Sequence, residues 1–374
     1  MSSIPIADPA LGAAERERVT AVLDDGQLAD GPEVRRFEEE FADYCRAANG
    51  VATSNGTTAL HAALRAVGIG PGDRVVTTPF SFVATANAIR HCGATPIFAD
   101  IDRETYNLDP DAVEAAIEER DGDVDAILPV HLYGLPADMD PLAEIADRYD
   151  LAVVEDAAQA HGAEYRGRPV GAIGDAGCFS FYPTKNMTTG EGGMIVTDRE
   201  DVASRARQFI NHGRADGDGV GYDHVEVGHN FRMTSIAAAI GRAQLERLSE
   251  YTRRRREHAT ILTDALANAP GIETPVEPPD RRHVYHQYTV RCADREALRS
   301  RLSAAGIGTG VYYPTPIHRQ PAYDDVDRAF PVAERASREV LSLPVHPSLT
   351  AAEVRTVADR VREGATVEEG IADD

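Results

Sequence analysis

The chain contains one lysine among its 374 residues, and this scarcity is the most informative feature of its composition. Lysine and arginine together number 38, so arginine supplies almost all of the positive charge. An arginine guanidinium stays protonated and cannot serve as a primary amine, whereas a lysine side chain can. The retained lysine, Lys185, is therefore expected to be needed for amine chemistry, with retention of one lysine by chance as the alternative.

Tryptophan is absent and cysteine is scarce. The four cysteines are widely spaced, and neither a C-x-x-C pair nor an H-E-x-x-H motif occurs. These absences argue against a disulfide framework and a structural zinc site. The fragment DGDGVGYD, residues 216–223, lacks the glutamate that closes a calcium loop, so we predict a surface loop and no metal site. We expect buried free thiols at Cys45, Cys92, Cys178 and Cys292.

Long apolar runs are also missing. No stretch approaches the ~20 apolar residues of a membrane helix, and the first residues do not resemble a secretory signal. The formal net charge of -23 argues against nucleic acid and anionic membranes as partners, because both require neutralising cations. Apolar residues make up 43% and charged residues 26%, a globular mixture. We therefore expect a globular cytoplasmic protein.

Short apolar strands alternate with helical segments from about residue 50 to about residue 160. This alternation is typical of an α/β fold with a mainly parallel sheet covered by helices on both faces. We predict three parts along the chain: an N-terminal arm over residues 1–30, a large domain over 31–245, and a long linking helix with a small C-terminal domain over 246–374.

The segment SNGTTAL, residues 54–60, joins a predicted strand to a predicted helix. Backbone N–H groups at a helix N-terminus favour an anion, and Gly56 permits close approach. Thr57 and Thr58 add hydroxyl donors, so the segment is a candidate phosphate cradle. An ordinary helix cap is the alternative.

A second segment, VVEDAAQAHGA over residues 153–163, places Asp156 at the end of an apolar strand. Ligands bind at this end of the strands in open α/β sheets. A buried carboxylate needs a positive partner, which a protonated pyridine nitrogen would supply. A helix-capping role for Asp156 is the alternative.

Lys185 lies in a third segment, FSFYPTKNMTTGEGG over residues 179–193, in a turn between two apolar strands. Ser180, five residues before the lysine, can donate to a phosphate, and the glycines permit tight backbone beside a ligand. A phosphate cradle, a strand-end aspartate and a lysine, in this order, match what pyridoxal phosphate (PLP) requires.

Together with NFRMTSIAAAIGRAQL, these segments resemble the DegT/DnrJ/EryC1/StrS family of PLP-dependent nucleotide-sugar aminotransferases. The resemblance extends from GPEVRRFEEEFADY to LSLPVHPSLT, which is nearly the whole chain. It implies the α/β fold of fold-type I PLP transferases: a large domain with a mostly parallel seven-stranded sheet between helices, and a smaller α+β C-terminal domain. It also implies a homodimer with shared active sites.

The resemblance also implies roles for individual residues. Lys185 forms the Schiff base with PLP and acts as general base, Asp156 pairs with the ring nitrogen, and Phe82 stacks on the ring. Asn230 reaches the cofactor phosphate of the neighbouring subunit. The further cofactor contacts are Gly56, Thr57, Thr58, Gln159 and Ser180, and the substrate-facing candidates are Arg232, Tyr313 and His318.

The activity implied is transfer of an amino group from an amino acid, with glutamate as the expected donor, to a keto-sugar nucleotide in amino-sugar or glycan biosynthesis. Two alternatives stay open. One is a sugar dehydratase of the same family that depends on PLP or its amine form, and the other is a non-catalytic binding or regulatory protein. Deoxygenating members of the family generally carry another residue, often histidine, at the lysine position, so Lys185 favours the aminotransferase.

Overall fold

A computed structural model describes residues 3–215 and 223–365. Most of the predicted surface loop at 216–223 and of the acidic C-terminal tail lies outside these ranges. The described residues form eleven α-helices: α1 (Ala13–Asp25), α2 (Pro32–Cys45), α3 (Gly56–Ala66), α4 (Ala84–His91), α5 (Pro110–Glu118), α6 (Met139–Tyr149), α7 (Glu200–Ile210), α8 (Ser235–Leu266), α9 (Arg295–Ala304), α10 (Pro331–Glu339) and α11 (Ala351–Ala365).

The same residues form thirteen strands: β1 (Asn49–Thr53), β2 (Arg74–Thr77), β3 (Thr95–Phe98), β4 (Ala126–Leu128), β5 (Ala152–Asp156), β6 (Glu164–Tyr165), β7 (Arg168–Pro169), β8 (Ala176–Ser180), β9 (Gly193–Thr197), β10 (Ile272–Glu273), β11 (Arg281–Arg282), β12 (Tyr288–Cys292) and β13 (Val340–Leu343). Seven of them form one sheet in the order β1-β9-β8-β5-β4-β2-β3, in which β9 runs against the others. The mostly parallel seven-stranded sheet confirms the predicted fold class.

Helices cover both faces of this sheet. Neighbouring residues on a strand point to opposite sides, so one strand contributes to the core on each face. Val154 of β5 packs in the core formed with α3, α4 and α7, whereas Val153 packs in the core formed with α5 and α6. Near β9, Val196 packs against α2 and α8. The ends of the central strands, where they emerge between these layers, are the positions at which the fold can present polar side chains.

The long helix α8 contributes to two cores. Ala238 and Leu248 pack with the large domain, whereas Ala259, Leu262 and Leu266 pack with β12, β13, α9 and α11 in the small domain. The predicted division between residues 245 and 246 therefore lies inside α8. The domain boundaries stay a prediction, and the helix is shared between the two parts.

The N-terminal residues pack against the rest of the chain. Ile4 is buried in the small-domain core, where its N–H donates to the Gly306 carbonyl at 2.9 Å. Gln244 of α8 donates to the Ala10 carbonyl at 3.0 Å, and α1 runs along α8. Residues 3–30 thus connect the small domain to the long helix.

All four cysteines are buried free thiols, as the sequence predicted. Within residues 3–215 and 223–365, no helix has the combination of length and apolar character that crossing a membrane requires.

Candidate active site

A cavity of about 840 Å³ lies at the carboxyl ends of the central parallel strands. Polar side chains from the ends of β5 and β8, the first turn of α3 and the turn before β9 face it. Nine of the twelve residues singled out in the sequence line this cavity: Gly56, Thr57, Thr58, Phe82, Asp156, Gln159, Ser180, Lys185 and Tyr313.

The first turn of α3 forms the candidate phosphate cradle. Asn55 caps the helix by accepting the Thr58 N–H at 2.9 Å, which leaves the N–H groups of Gly56 and Thr57 without an intrahelical acceptor. An ideal Cβ on Gly56 would lie 2.7 Å from the Cβ of Ser180, closer than real Cβ contacts come. Glycine is therefore what lets α3 approach Ser180, so that backbone N–H groups and a hydroxyl surround one small space suited to a phosphate.

Asp156 is the last residue of β5, and only 4% of its surface is exposed. The Thr85 hydroxyl donates to Oδ2 at 2.8 Å, and the Ala158 N–H donates to Oδ1 at 3.1 Å. Burial raises the pKa of Asp156, while these hydrogen bonds and the charge of Lys185 oppose that rise. A buried carboxylate with two neutral donors is stabilised by a nearby cation, so this position fits a protonated ring nitrogen.

Lys185 follows β8 in a turn, where its backbone N–H donates to the Tyr182 carbonyl at 2.9 Å. Burial against the cavity wall lowers the pKa of the Lys185 amine from 10.5 to about 8, although the charge of Asp156 acts in the opposite direction. At pH 7 this shift increases the unprotonated fraction of the amine by roughly two orders of magnitude. A lysine in this state can act as nucleophile and as base.

Gln159 and two aromatic side chains form another part of the wall. The Gln159 Oε1 accepts the Tyr133 N–H at 2.7 Å, and its Nε2 donates to the Tyr313 hydroxyl at 3.0 Å, which fixes the amide orientation. Phe82 is 55% exposed, with its ring centroid 6.1 Å from that of Tyr313. A phenylalanine that served core packing would be buried. This exposed ring at the edge of a cavity instead suits stacking on a flat ligand.

Three predicted residues do not line the cavity within this chain. Asn230 is exposed, and Arg232 donates to Asn211. His318 is buried beside Phe330, with Nε2 3.0 Å from a carboxylate oxygen of Glu334. His318 therefore lies away from the cavity because its ring completes packing in the neighbouring core.

The structure also adds residues to the cavity that the sequence did not single out, including Thr85, Tyr182, His286, Gln287 and Tyr312. Thr85 had a usable signal, because it stands three residues after Phe82, which the resemblance had already assigned to the cofactor ring. His286 and Gln287 immediately precede the strand β12 in the small-domain part of the chain. Their approach to Lys185 depends on packing between distant segments, which no local spacing reveals.

A family model described as the DegT/DnrJ/EryC1/StrS aminotransferase family matches residues 9–362. The chain belongs to this family, and it is a transaminase. A dTDP-3-amino-3,4,6-trideoxy-alpha-D-glucose transaminase of Streptomyces venezuelae is 44% identical over 93% of this chain and 91% of its own length. A pleiotropic regulatory protein of Geobacillus stearothermophilus is also 44% identical, over 89% of each chain.

Solved structures agree with this assignment. DesV of S. venezuelae superposes with a TM-score of 0.93 at 42% identity, covering 98% of this chain and 99% of its own. The PLP-form of Spr1654, a putative sugar aminotransferase from Streptococcus pneumoniae, gives 0.91 at 27% identity, covering 98% and 99%. PLP is the cofactor of the family, and the cradle at Gly56, the buried Asp156 and the low-pKa amine of Lys185 fit its phosphate, ring nitrogen and aldehyde.

Substituting Gly56 tests the cradle. Because the added Cβ meets Ser180, Gly56→Ala should cost about 1–3 kcal/mol of local overpacking and weaken PLP binding by roughly 5- to 150-fold. The matched control is Gly70→Ala, whose Cβ meets only the end of the long Arg65 side chain. Fluorescence titration of the apoenzyme with PLP measures both, and unchanged affinity in Gly56→Ala would contradict the cradle.

The single lysine makes its own pKa measurable. Reductive methylation of the apoenzyme with ¹³C-formaldehyde labels Lys185 and the N-terminal amine, and Lys185→Arg identifies the lysine signal by its loss. Because burial disfavours the ammonium, the Lys185 signal should titrate with a midpoint of about 8. A midpoint near 10.5, the value of an exposed lysine, would show that the cavity does not activate the amine.

Proposed function

We propose that this transaminase moves an amino group from an amino acid, with glutamate as the expected donor, to the keto group of a nucleotide-linked sugar. The observation that carries the proposal is the placement of Lys185, Asp156 and the α3 cradle around one cavity. A volume of about 840 Å³ is at the upper end of ordinary ligand sites, which suits a cofactor together with a bulky substrate. The named substrate of the Streptomyces venezuelae relative, a dTDP sugar, supports the choice of acceptor.

Each role in the proposed reaction has a residue suited to it by its surroundings. Bound PLP supplies an electron sink for the carbon that bears the amino group. Gly56, Thr57, Thr58 and Ser180 would hold its phosphate, while Asp156, fixed by Thr85, would keep the ring nitrogen protonated.

Lys185 is the proton carrier. Its Nζ can take up a proton from the substrate carbon because its lowered pKa leaves part of the amine unprotonated near neutral pH. Tyr313 and Gln159, joined by a hydrogen bond, face the same space and are proposed to orient the substrate. The predicted cytoplasmic location stays a prediction.

The proposed assembly is a homodimer in which each subunit completes the other's site. His229 and Phe231 line the cavity of their own chain, whereas Asn230 between them is exposed and outside it. Extended backbone turns neighbouring side chains to opposite sides, so Asn230 is directed away from the cavity that its neighbours line. This placement supports a contact from Asn230 to the cofactor phosphate of a second subunit, with Arg232 beside it as a substrate contact.

A regulatory role without catalysis was an alternative left open by the sequence, and one relative carries the name pleiotropic regulatory protein. The low-pKa lysine beside a buried aspartate favours catalysis, because a binding protein has no need of an unprotonated amine. The dehydratase alternative differs in product: it would release ammonia or a deoxygenated keto-sugar without transferring nitrogen.

Lys185→Ala should abolish transamination, because no other side chain in this chain offers a primary amine. The assay incubates holoenzyme with glutamate and a panel of 3-keto and 4-keto sugar nucleotides, and identifies products by mass. Wild-type enzyme should form one amino-sugar nucleotide and an equal amount of 2-oxoglutarate. Near-normal turnover by Lys185→Ala would refute the role of the lysine, and ammonia release without amine transfer would favour the dehydratase.

Complementation tests the shared site. Lys185→Ala and Asn230→Ala should each be nearly inactive, but their hybrid dimer contains one site with both an intact lysine and an intact asparagine. After unfolding and co-refolding at equal amounts, about a quarter of wild-type activity should return, as expected for random pairing in a twofold dimer. Mixing without exchange is the control, and no recovery after verified hybrid formation would contradict an asparagine supplied in trans.

A further inference from the structure

A second buried carboxylate lies next to Asp156 but on the opposite face of the sheet. Glu155 is fully buried and precedes Asp156 in β5, where successive side chains alternate between the two faces. Its carboxylate contacts Nε2 of His131 at 2.9 Å and accepts backbone N–H groups from Gly171 at 2.7 Å and Gly174 at 2.8 Å. The Ile173 N–H adds a fourth donor at 2.7 Å.

The hydrogen bonds of His131 define its protonation. Its Nδ1 accepts the Ala137 N–H at 3.0 Å, so this nitrogen carries no proton and Nε2 is the donor to Glu155. The imidazole is therefore neutral while Glu155 keeps its negative charge. Burial acts to raise the pKa of Glu155, but the hydrogen bonds from His131 and from the backbone outweigh burial and hold that pKa below its usual range.

This pair joins the strand end that carries Asp156 to two other segments. The His131 N–H donates to the Asp156 carbonyl at 3.0 Å, and the Asp156 N–H donates to the Pro129 carbonyl at 2.8 Å. The donors at 171–174 belong to the segment that crosses behind β5 before β8 begins. One carboxylate thus fixes β5 against the continuation of β4 on one side and against this crossing segment on the other.

Asp156 depends on such support because few contacts hold its own side chain. Only the Thr85 hydroxyl and the Ala158 N–H are bonded to its carboxylate among the residues that the structure describes. The direction in which the carboxylate points is set by the backbone at residues 155 and 156, which Glu155 and His131 immobilise. The buried negative charge of Glu155, one residue away, also favours a proton on any ring nitrogen that Asp156 contacts.

We propose that Glu155 and His131 are positioning residues for the reaction: they orient Asp156, and the charge of Glu155 reinforces the protonated state of the cofactor ring. The proposal rests on the role proposed above for Asp156. The side chain of Glu155 faces away from the cavity, so Glu155 does not contact the cofactor and acts through Asp156.

The test removes the negative charge of Glu155 while keeping the shape of its side chain. Holo Glu155→Gln should bind PLP about 10-fold more weakly and turn over about 10-fold more slowly, the usual size of losing an outer hydrogen-bond partner of a functional group. The pH midpoint of its visible absorption band should also shift, with little change in KM for glutamate. Glu164→Gln is the matched control, since it makes the same change at a partly exposed glutamate paired with Arg282.

His131→Gln provides the second variant if Glu155→Gln does not fold. A glutamine amide can still donate to Glu155, but its oxygen lies one bond farther along the side chain than Nδ1 and is not placed to accept the Ala137 N–H. This variant should therefore weaken PLP binding, with a smaller shift of the visible band because the charge of Glu155 remains. If the folded variants lower only the unfolding temperature, and PLP affinity, kcat and the band midpoint equal those of wild type, the pair is structural and the proposal is wrong.

Asp156→Asn, measured in parallel, separates this proposal from the proposal that Asp156 contacts the ring nitrogen. If Asp156→Asn changes PLP affinity and the visible band while Glu155→Gln does not, only the positioning role fails. If Asp156→Asn changes neither, the assignment of Asp156 to the ring nitrogen fails as well.

Discussion

The dehydration of the Asp156 carboxylate is the constraint around which the site is built. An isolated buried carboxylate becomes neutral unless hydrogen bonds and a cation stabilise its charge. Here the Thr85 hydroxyl and the Ala158 N–H supply part of that stabilisation, and Lys185 supplies part of the charge. The carboxylate accordingly stays suited to a second cation, which the ring nitrogen of PLP provides when it is bound.

The choice of basic residue follows from the same constraint. Arginine accounts for nearly all positive charge in this chain, yet no arginine lines the cavity in the described residues. A guanidinium would neutralise Asp156 permanently and could not release a proton. Lysine, with a pKa lowered to about 8, can exchange its proton during a reaction. The presence of the one lysine, in a chain that otherwise uses arginine, is therefore explained by a requirement at this position.

The sequence predicted the parts of the site that depend on residues close to one another in the chain. Alternating strands and helices predicted the parallel sheet, and the strand-to-helix turn at Gly56 predicted the cradle. Residues brought in by long-range packing gave no such signal: His286 reaches the cavity from the small-domain part of the chain, and Glu155 meets segments on the far face of the sheet. For His318, the family resemblance implied a substrate contact, but the ring packs beside Phe330 because the surrounding core decides its direction.

Helix α8 spans 32 residues, so its length is about 48 Å. The N-terminal half of the helix packs in the core of the large domain and the C-terminal half packs in the core of the small domain, so the helix connects the two cores rigidly. A rotation of about 5° around its middle would displace either end by about 2 Å, from half its length at 1.5 Å per residue. A displacement of that size equals the difference between a hydrogen bond and none. Arg255 of this helix donates to the His286 carbonyl at 3.3 Å, so a tilt of the helix would be transmitted directly to a residue of the cavity wall.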